Sequence, residues 1–172
     1  MIKLDERLNS ILLKEHERQQ FENNFIASEN FASEKVRYFC GSEFTNKYAE
    51  GYPGKRYYNG CDHYDDMENY GIELATKLYG SKFANIQPHS GANANLAIFK
   101  AFLSPGWRIL GMDLSAGGHL SHGSTANLSG KWFDNHFYGV DSDGWIDYDA
   151  LAVQAREIMP KMIIAGASAY PR

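Results

Sequence analysis

The sequence predicts an α/β fold in which helices cover a mostly parallel sheet. From residue 64 onward, helix-like and strand-like patterns alternate along the chain, which is typical of layered α/β proteins. The segment KMIIAGA at 161–167 is a continuous apolar run, as expected for a strand that is covered on both faces. These two observations favour an α/β layered fold.

Periodicity and end signals then assign the elements. The first predicted helix is polar, with Leu8, Ile11 and Leu12 at helical spacing. Gly80 ends a second helix, and Asp147 is a candidate cap for the last one. The region 28–59 is rich in loops. We predict helices over 5–24, 64–79, 91–103 and 147–158, and strands over 83–87, 107–112, 132–138 and 161–167.

Composition excludes several classes of function. The formal net charge is −4, so no overall basic field indicates nucleic-acid binding. No apolar run approaches the length of a membrane span, and the segment MIKLDERLNS lacks the apolar core of a signal peptide. Cys40 and Cys61 lack metal-ligand spacing, so we expect reduced thiols in a cytoplasmic protein, with a disulfide as the weaker alternative.

The segment TNKYAEGYPGKRYYNGC, at 45–61, is the clearest functional signal. It holds four tyrosines, several cations and Glu50, with almost no aliphatic residue, and its glycines and Pro53 indicate a loop. Tyrosines supply flat apolar faces with a hydroxyl at the tip. Because exposed aromatics have no structural reason to cluster, we interpret the segment as a loop that lines a site for a flat, anionic small molecule.

Two further motifs lie where a predicted strand gives way to a loop or helix. In Pro88–Ala92, Ser90 and Gly91 begin a helix whose free N–H groups suit a phosphate, although the motif taken alone is better explained as an ordinary helix cap. In GGHLSHG, at 117–123, His119 and His122 are candidates for a ring that stacks on a flat ligand, for a structural histidine or for metal ligands. With no third ligand at typical spacing, we expect no metal.

These motifs together resemble the serine hydroxymethyltransferase family. The matching segments occur in the family's order and spacing from about residue 15 onward, and the tyrosine-rich loop is close to diagnostic by itself. The loop also argues against a related enzyme such as a threonine aldolase. The segments are FIASEN (25–30), TNKYAEGYPGKRYY (45–58), NIQPHSGANAN (85–95), GGHLSHG (117–123) and IIAGASAY (163–170).

The resemblance implies a fold and an activity. The fold is that of the aspartate-aminotransferase-like (fold type I) pyridoxal phosphate enzymes, here an N-terminal helix and loops followed by part of the large domain, with an incomplete, mostly parallel sheet. The activity is the reversible conversion of serine and tetrahydrofolate to glycine and 5,10-methylenetetrahydrofolate, with pyridoxal 5'-phosphate as cofactor. The implied assembly is a homodimer whose active sites are shared across the interface.

The resemblance also implies roles for individual residues. Glu50, His119 and Tyr57 are the expected catalytic residues, and Glu50 moves a proton if its surroundings desolvate it and raise its pKa. The residues expected to bind the cofactor are Ser90, Gly91, Ala92, His119, Ser168 and Tyr48, the last reaching the phosphate bound by the neighbouring subunit. The residues expected to bind the amino acid or the folate are Ser28, Glu50, Tyr57, Tyr58, Leu114, Gly118, His119 and Leu120.

The same resemblance shapes the expected domain organisation. We expect an N-terminal helix with interface and active-site loops over 1–59, an incomplete cofactor-binding domain over 60–172, and no small C-terminal domain. None of the ten lysines lies in the Thr-Thr-His-Lys segment that binds the cofactor covalently in the family. We therefore expect these 172 residues to be inactive alone. The alternative is a non-catalytic chain that pairs with an intact subunit or only binds ligand.

Overall fold

A computed structural model describes residues 5–172, and the chain divides into two units, Met1–Phe31 and Ala32–Arg172. The first unit contains helix α1, Glu6–Phe21. Asp5 caps it, because its carboxylate accepts a hydrogen bond from the Leu8 amide at 2.9 Å. The helix predicted over 5–24 is confirmed, with its end three residues earlier than expected.

The second unit opens with a helix that the sequence reading placed in a loop. Helix α2 is Glu34–Cys40, and the Ser33 hydroxyl caps it by accepting from the Val36 amide at 3.3 Å. A short 3-10 helix, Glu43–Thr45, follows. The region 28–59 is therefore less irregular than predicted. The signal that the sequence reading missed is Ser33 followed directly by Glu34, whose carboxylate in the first turn interacts favourably with the helix dipole.

A small hairpin and a long helix come next. Strands β1 (Gly51–Tyr52) and β2 (Lys55–Arg56) pair antiparallel within the tyrosine-rich loop. Helix α3 is Asp62–Tyr79, and Gly80 ends it in the left-handed conformation, φ 61°, as predicted. Cys40 and Cys61 are free thiols, as expected.

The main sheet has three parallel strands in the order β4-β3-β5. Strand β3 (Arg108–Met112) is central, and it pairs with β4 (Asp134–Tyr138) and with β5 (Met162–Ile164). The predicted parallel arrangement is confirmed. Helix α4 (Gly91–Phe102) precedes β3, and helices α5 (Leu128–Trp132) and α6 (Tyr148–Ile158) lie in the connections from β3 to β4 and from β4 to β5. The Asp147 carboxylate caps α6 through the Ala150 amide at 2.9 Å, also as predicted.

The core lies on both faces of β3. On one face Ile109 packs with Phe99 and Leu103 of α4 and with Phe133. On the other face Leu110 and Met112 pack with Tyr138, under the apolar side of α6. Because alternate side chains of a strand point to opposite faces, a strand covered on both sides is apolar where it is covered, as β3 is from Ile109 to Met112.

The strand predicted over 83–87 is wrong. The segment is irregular, and its side chains bond to backbone groups in place of a ladder. The Asn85 side chain accepts from the Gln87 amide, and the Gln87 side chain donates to the Gly51 carbonyl, both at 2.9 Å. The strands predicted over 132–138 and 161–167 are shorter than expected, because Trp132 ends α5 and Gly166 has φ +107°.

Large apolar side chains remain exposed over much of the described chain. On α3, Met67, Tyr70, Leu74 and Leu78 are exposed although they share one side of the helix. Strands β4 and β5 form open edges of the described sheet. Within residues 5–172, no helix is long and apolar enough to cross a membrane.

We predict that residues 1–172, produced alone, bind the hydrophobic dye ANS and melt broadly, since the exposed faces and the open edges lack cover. The measurement is dye fluorescence together with a thermal melt followed by circular dichroism. The full-length gene product under the same conditions is the control. A sharp, cooperative melt of a monomer that does not bind the dye would contradict this prediction.

Candidate functional site

The segments that follow strands β3 and β5 meet at one edge of the sheet. The amides of Ser168 and Ala169, which follow β5, both donate to the Gly117 carbonyl at 3.0 Å. Gly117 belongs to the segment after β3, two residues before His119. Ligands of open α/β sheets bind at the carboxyl ends of the strands. The structure therefore brings the loops that carry Ser168 and His119 to the edge where a ligand is expected.

Two glycines permit this close approach. At Gly117, φ is +101°, and a Cβ would lie 2.5 Å from the Ala169 carbonyl oxygen. At Gly118, which is buried, a Cβ would overlap the carbonyl oxygens of Met112 and Asp113. Side chains at either position would push the segment away from the sheet. Backbone clearance is thus the physical reason for the glycine pair in GGHLSHG.

The ring of His119 is held in one orientation. Its Nδ1 accepts a hydrogen bond from the Ser121 amide at 3.1 Å and lies 2.7 Å from the Ser121 hydroxyl. Because an amide can only donate, Nδ1 carries no proton in this arrangement and the neutral ring has its proton on Nε2. The ring is half-buried, so part of its surface stays accessible.

Asn95 connects this ring to helix α4. Its side-chain N–H donates to the Ser121 hydroxyl at 2.7 Å, which leaves the hydroxyl proton to point at His119 Nδ1. Ser121, the middle member of the chain Asn95–Ser121–His119, is buried, whereas Asn95 and His119 are half-buried. The sequence reading did not assign Asn95 and Ser121 to the site. No local pattern identifies the pair, because its two members are 26 residues apart.

The N-terminus of α4 has the form of an anion cup. The Ser90 hydroxyl accepts from the Asn93 amide at 3.2 Å. The amides of Gly91 and Ala92 belong to the first turn and have no intrahelical acceptor. A Cβ at Gly91 would meet no atom within 4 Å, so open space lies beside these amides. The predicted helix cap is present, and it leaves room for an anion.

The tyrosine-rich loop presents its functional side chains outward. Tyr48 is 74% exposed and Tyr57 is 81% exposed, and Glu50 is exposed as well. The rings of Tyr48 and Tyr58 lie 6.0 Å apart. The described residues therefore do not desolvate the Glu50 carboxylate. Any desolvation would have to come from groups outside the described residues.

Beneath these exposed side chains, the loop rests on a buried ionic cluster. The Arg56 guanidinium donates to Asp65 and to Glu68 of α3, both at 2.7 Å. It also donates to the Ala49 carbonyl at 2.7 Å and to the Gly51 carbonyl at 2.9 Å. The hydrogen bond to Asp65 raises the pKa of Arg56 most, and the hydrogen bond to Glu68 raises it further. We call these three charged residues the Arg56 cluster.

The predicted site residues thus fall into three groups. The first contains Ser90, Gly91, Ala92 and the sheet-edge residues Leu114, Gly118, His119, Leu120 and Ser168. Leu114 and Leu120 are exposed and lie in two short 3-10 helices, Leu114–Ala116 and Leu120–His122. The second is the tyrosine-rich loop, which bonds to α3 and Gln87. The third is Ser28, in the first unit.

The surroundings of His122, the second histidine of the GGHLSHG motif, indicate a structural role. His122 is buried, and its Nδ1 has no hydrogen-bond partner among the described residues. Burial, and to a smaller extent the nearby His119, lowers the pKa of His122. Within residues 5–172, no group of three or more His, Cys, Asp or Glu side chains is arranged to hold a metal ion.

A parallel sheet with glycine-rich loops and a helix cap at the carboxyl ends of its strands defines an α/β protein, and that edge is its candidate ligand site. Comparison with known proteins makes this specific. The serine hydroxymethyltransferase family matches residues 1–172, and the chain belongs to that family. The fold is accordingly fold type I of the pyridoxal phosphate enzymes, represented here by three strands of its sheet.

Individual relatives agree with this assignment. The chain is 53% identical over 168 residues to a serine hydroxymethyltransferase of a Nitratiruptor species, covering 98% of this chain and 40% of the relative. It is 54% identical over 171 residues to the enzyme of Leptospira biflexa, covering 99% of this chain and 41% of the relative. The chain thus spans about two fifths of the length of the curated relatives it matches.

We predict that acid loosens the 3-10 helix around His122. The folded-state pKa of His122 is lowered, so its stabilising contribution is complete above the usual value near 6.5 and is lost as the pH falls below it. Hydrogen exchange at the Ser124 amide, which donates to Leu120, should speed up below about pH 6 after correction for intrinsic rates.

His122→Phe in the full-length gene product should remove this pH dependence, because the ring remains but does not titrate. His63→Gln is the matched control, since the His63 side chain is 90% exposed. An unchanged pH dependence in His122→Phe would contradict the assignment.

Proposed function

We propose that the full-length gene product interconverts serine and glycine, transferring the one-carbon unit to and from tetrahydrofolate with pyridoxal 5'-phosphate as cofactor. The observation that carries the proposal is the match of all 172 residues to the serine hydroxymethyltransferase family. The free thiols, with Cys40 exposed, support a cytoplasmic location, where cysteines stay reduced.

The first group of site residues fits the cofactor. The amides of Gly91 and Ala92, with the Ser90 hydroxyl, would hold the phosphate at the positive end of α4. His119 would lie against the pyridine ring, in the orientation that Ser121 fixes. Ser168 would donate to the ring hydroxyl from the neighbouring segment. The open space at Gly91 supports this fit, because no protein atom competes for it.

The folate would lie next to the same loop. Leu114 and Leu120 are exposed apolar side chains on either side of the buried Gly118, and they would contact the flat folate ring system. His119 would then touch both ligands. Ser28 is proposed to bind the amino-acid carboxylate.

The exposed loop supports a shared active site. Tyr48 and Tyr57 have no cover within the described residues, although large aromatic rings are usually buried at least in part. We propose that a homodimer covers them, with Tyr48 reaching the phosphate bound by the other subunit and with Tyr57 and Tyr58 near the substrate. The same contact would desolvate Glu50.

When bound, the cofactor withdraws electrons from the substrate's α-carbon. The chain's own task is to orient the bond that breaks and to move a proton at the hydroxyl of the serine side chain. We assign this proton to Glu50. None of the ten lysines lies in the family's covalent cofactor segment, so we propose that residues 1–172 alone do not turn over.

Ser90→Ala tests the phosphate cup. In the full-length gene product, it should weaken the affinity for pyridoxal phosphate by about 10-fold or more, because a hydrogen bond to a charged group is lost. Asp147→Ala is the matched control, since it removes the cap of α6, a helix of similar length. Both variants should lose about 1 kcal/mol of stability, and only Ser90→Ala should lose cofactor affinity. Equal affinities would contradict the proposed cup.

Glu50→Gln tests the proton transfer. The amide keeps the shape of the carboxylate and removes its basicity, so folate-dependent serine cleavage should fall by about 100-fold or more. Cofactor absorbance and affinity should remain unchanged. Turnover is measured from methylenetetrahydrofolate formation, with Glu43→Gln, an exposed carboxylate elsewhere in the unit, as control. Normal turnover in Glu50→Gln would eliminate this role for Glu50.

A further inference from the structure

Arg56 is the most buried charged side chain of the tyrosine-rich region. Neither charge balance nor packing alone explains why its guanidinium bonds to two backbone carbonyls as well as to two carboxylates. Its side chain is 6% exposed, whereas those of its partners Asp65 and Glu68 are 22% and 13% exposed. Taking a cation out of water is unfavourable unless every donor has an acceptor. Four acceptors surround this guanidinium: two carboxylates of α3 and two backbone carbonyls.

The two carbonyls lie on either side of Glu50. One guanidinium nitrogen donates to Ala49, the residue before Glu50, and to Gly51, the residue after it. The carbonyl of Glu50 accepts from the Tyr57 amide at 3.1 Å. The backbone is therefore fixed before, at and after Glu50, while the side chain of Glu50 remains exposed.

Further bonds hold the same cluster on α3. The second oxygen of Asp65 accepts from the Gly54 amide at 2.7 Å. The Gln87 side chain donates to Glu68 at 2.8 Å and to the Gly51 carbonyl at 2.9 Å. The hydrogen bond from Gly54, followed by that from Arg56, lowers the pKa of Asp65, because both donors favour the charged carboxylate.

We propose that Arg56 is a positioning residue, which sets the place of the Glu50 carboxylate by fixing the backbone on both sides of it. The proposal rests on the proton-transfer role proposed for Glu50. A lysine cannot replace Arg56 here, because one ammonium cannot reach two carboxylates and two carbonyls in the planar fork that a guanidinium supplies.

A purely structural role for the cluster leads to a different expectation. If Arg56 only stabilises the hairpin, then its loss lowers stability and affects turnover independently of Glu50. If Arg56 acts through Glu50, its loss matters only while Glu50 carries a carboxylate. The combination of the two substitutions separates these cases, because residues that act as a unit are non-additive.

The experiment compares Arg56→Lys, Glu50→Gln and the double variant in the full-length gene product. We expect Arg56→Lys to lower kcat for serine cleavage by about 100-fold, as displacement of a catalytic group by about 1 Å does. KM for serine and the affinity for the cofactor should stay near those of the parent enzyme. The double variant should be no slower than Glu50→Gln alone.

Hydrogen exchange supplies a readout independent of turnover. In Arg56→Lys, the amides of Tyr57 and Gly54 should exchange faster, while amides in β3 stay protected. Asp65→Asn is a second variant should Arg56→Lys fold poorly, because it keeps an oxygen for Gly54 and removes the charge. Arg18→Lys is the matched control: Arg18 also bonds to two carboxylates, Glu15 and Glu22, but on an exposed helix.

The outcomes distinguish the two proposals. Multiplicative losses in the double variant, or unchanged exchange at Tyr57 in both Arg56→Lys and Asp65→Asn, would overturn the positioning role. Normal turnover in Glu50→Gln would instead remove the proposed role of Glu50. Non-additive losses together with faster exchange at Tyr57 would establish Arg56 as the residue that positions Glu50.

Discussion

Burial of strand β3 on both faces is the constraint on which the sheet and its ligand edge depend. Ile109 and Leu110 are completely buried, on opposite faces, and β4 and β5 both pair with this strand. The contacts fix the direction of the chain as it leaves the sheet at Met112. From there the glycines at 117 and 118 fold the chain back against the carbonyls of β3 and of the segment after β5. The packing of the apolar core around β3 therefore determines where His119 lies.

Hydrogen bonds between polar side chains further fix the loops that the apolar core positions. Asn95, Ser121 and His119 form a hydrogen-bonded chain, buried at Ser121, that connects α4 to the loop after β3. These hydrogen bonds connect the helix that carries the proposed phosphate cup to the proposed stacking ring of His119. The Arg56 cluster fixes the tyrosine-rich loop in the same way, because the loop has almost no aliphatic side chain with which to form a core. Buried polar networks of this kind are specific because each donor requires its acceptor.

Much of this arrangement was predictable from local sequence. The helix caps Ser90 and Asp147, the stop at Gly80 and the parallel pairing of apolar strands follow from short-range rules, and the structure confirms them. The site residues were recognised by the family's motifs, because the motif residues lie next to one another in the chain. Helix α2 was missed because the many turn residues of the region 28–59 led to a prediction of loops. The segment 83–87 was mistaken for a strand because its apolar residues resemble one.

The sequence by itself determined the fold class, several helix ends and the family, because the caps, stops and motifs that indicate them are formed by residues within a few positions of one another. Tertiary structure alone decided which distant groups meet. Ser121 meets Asn95 across 26 positions, and Gly117 meets the backbone beyond β5. Arg56 meets Asp65 and Glu68 only because the hairpin folds back on α3. Hydrogen-bond partners are selected by distance in space, and no periodicity along the chain encodes that distance.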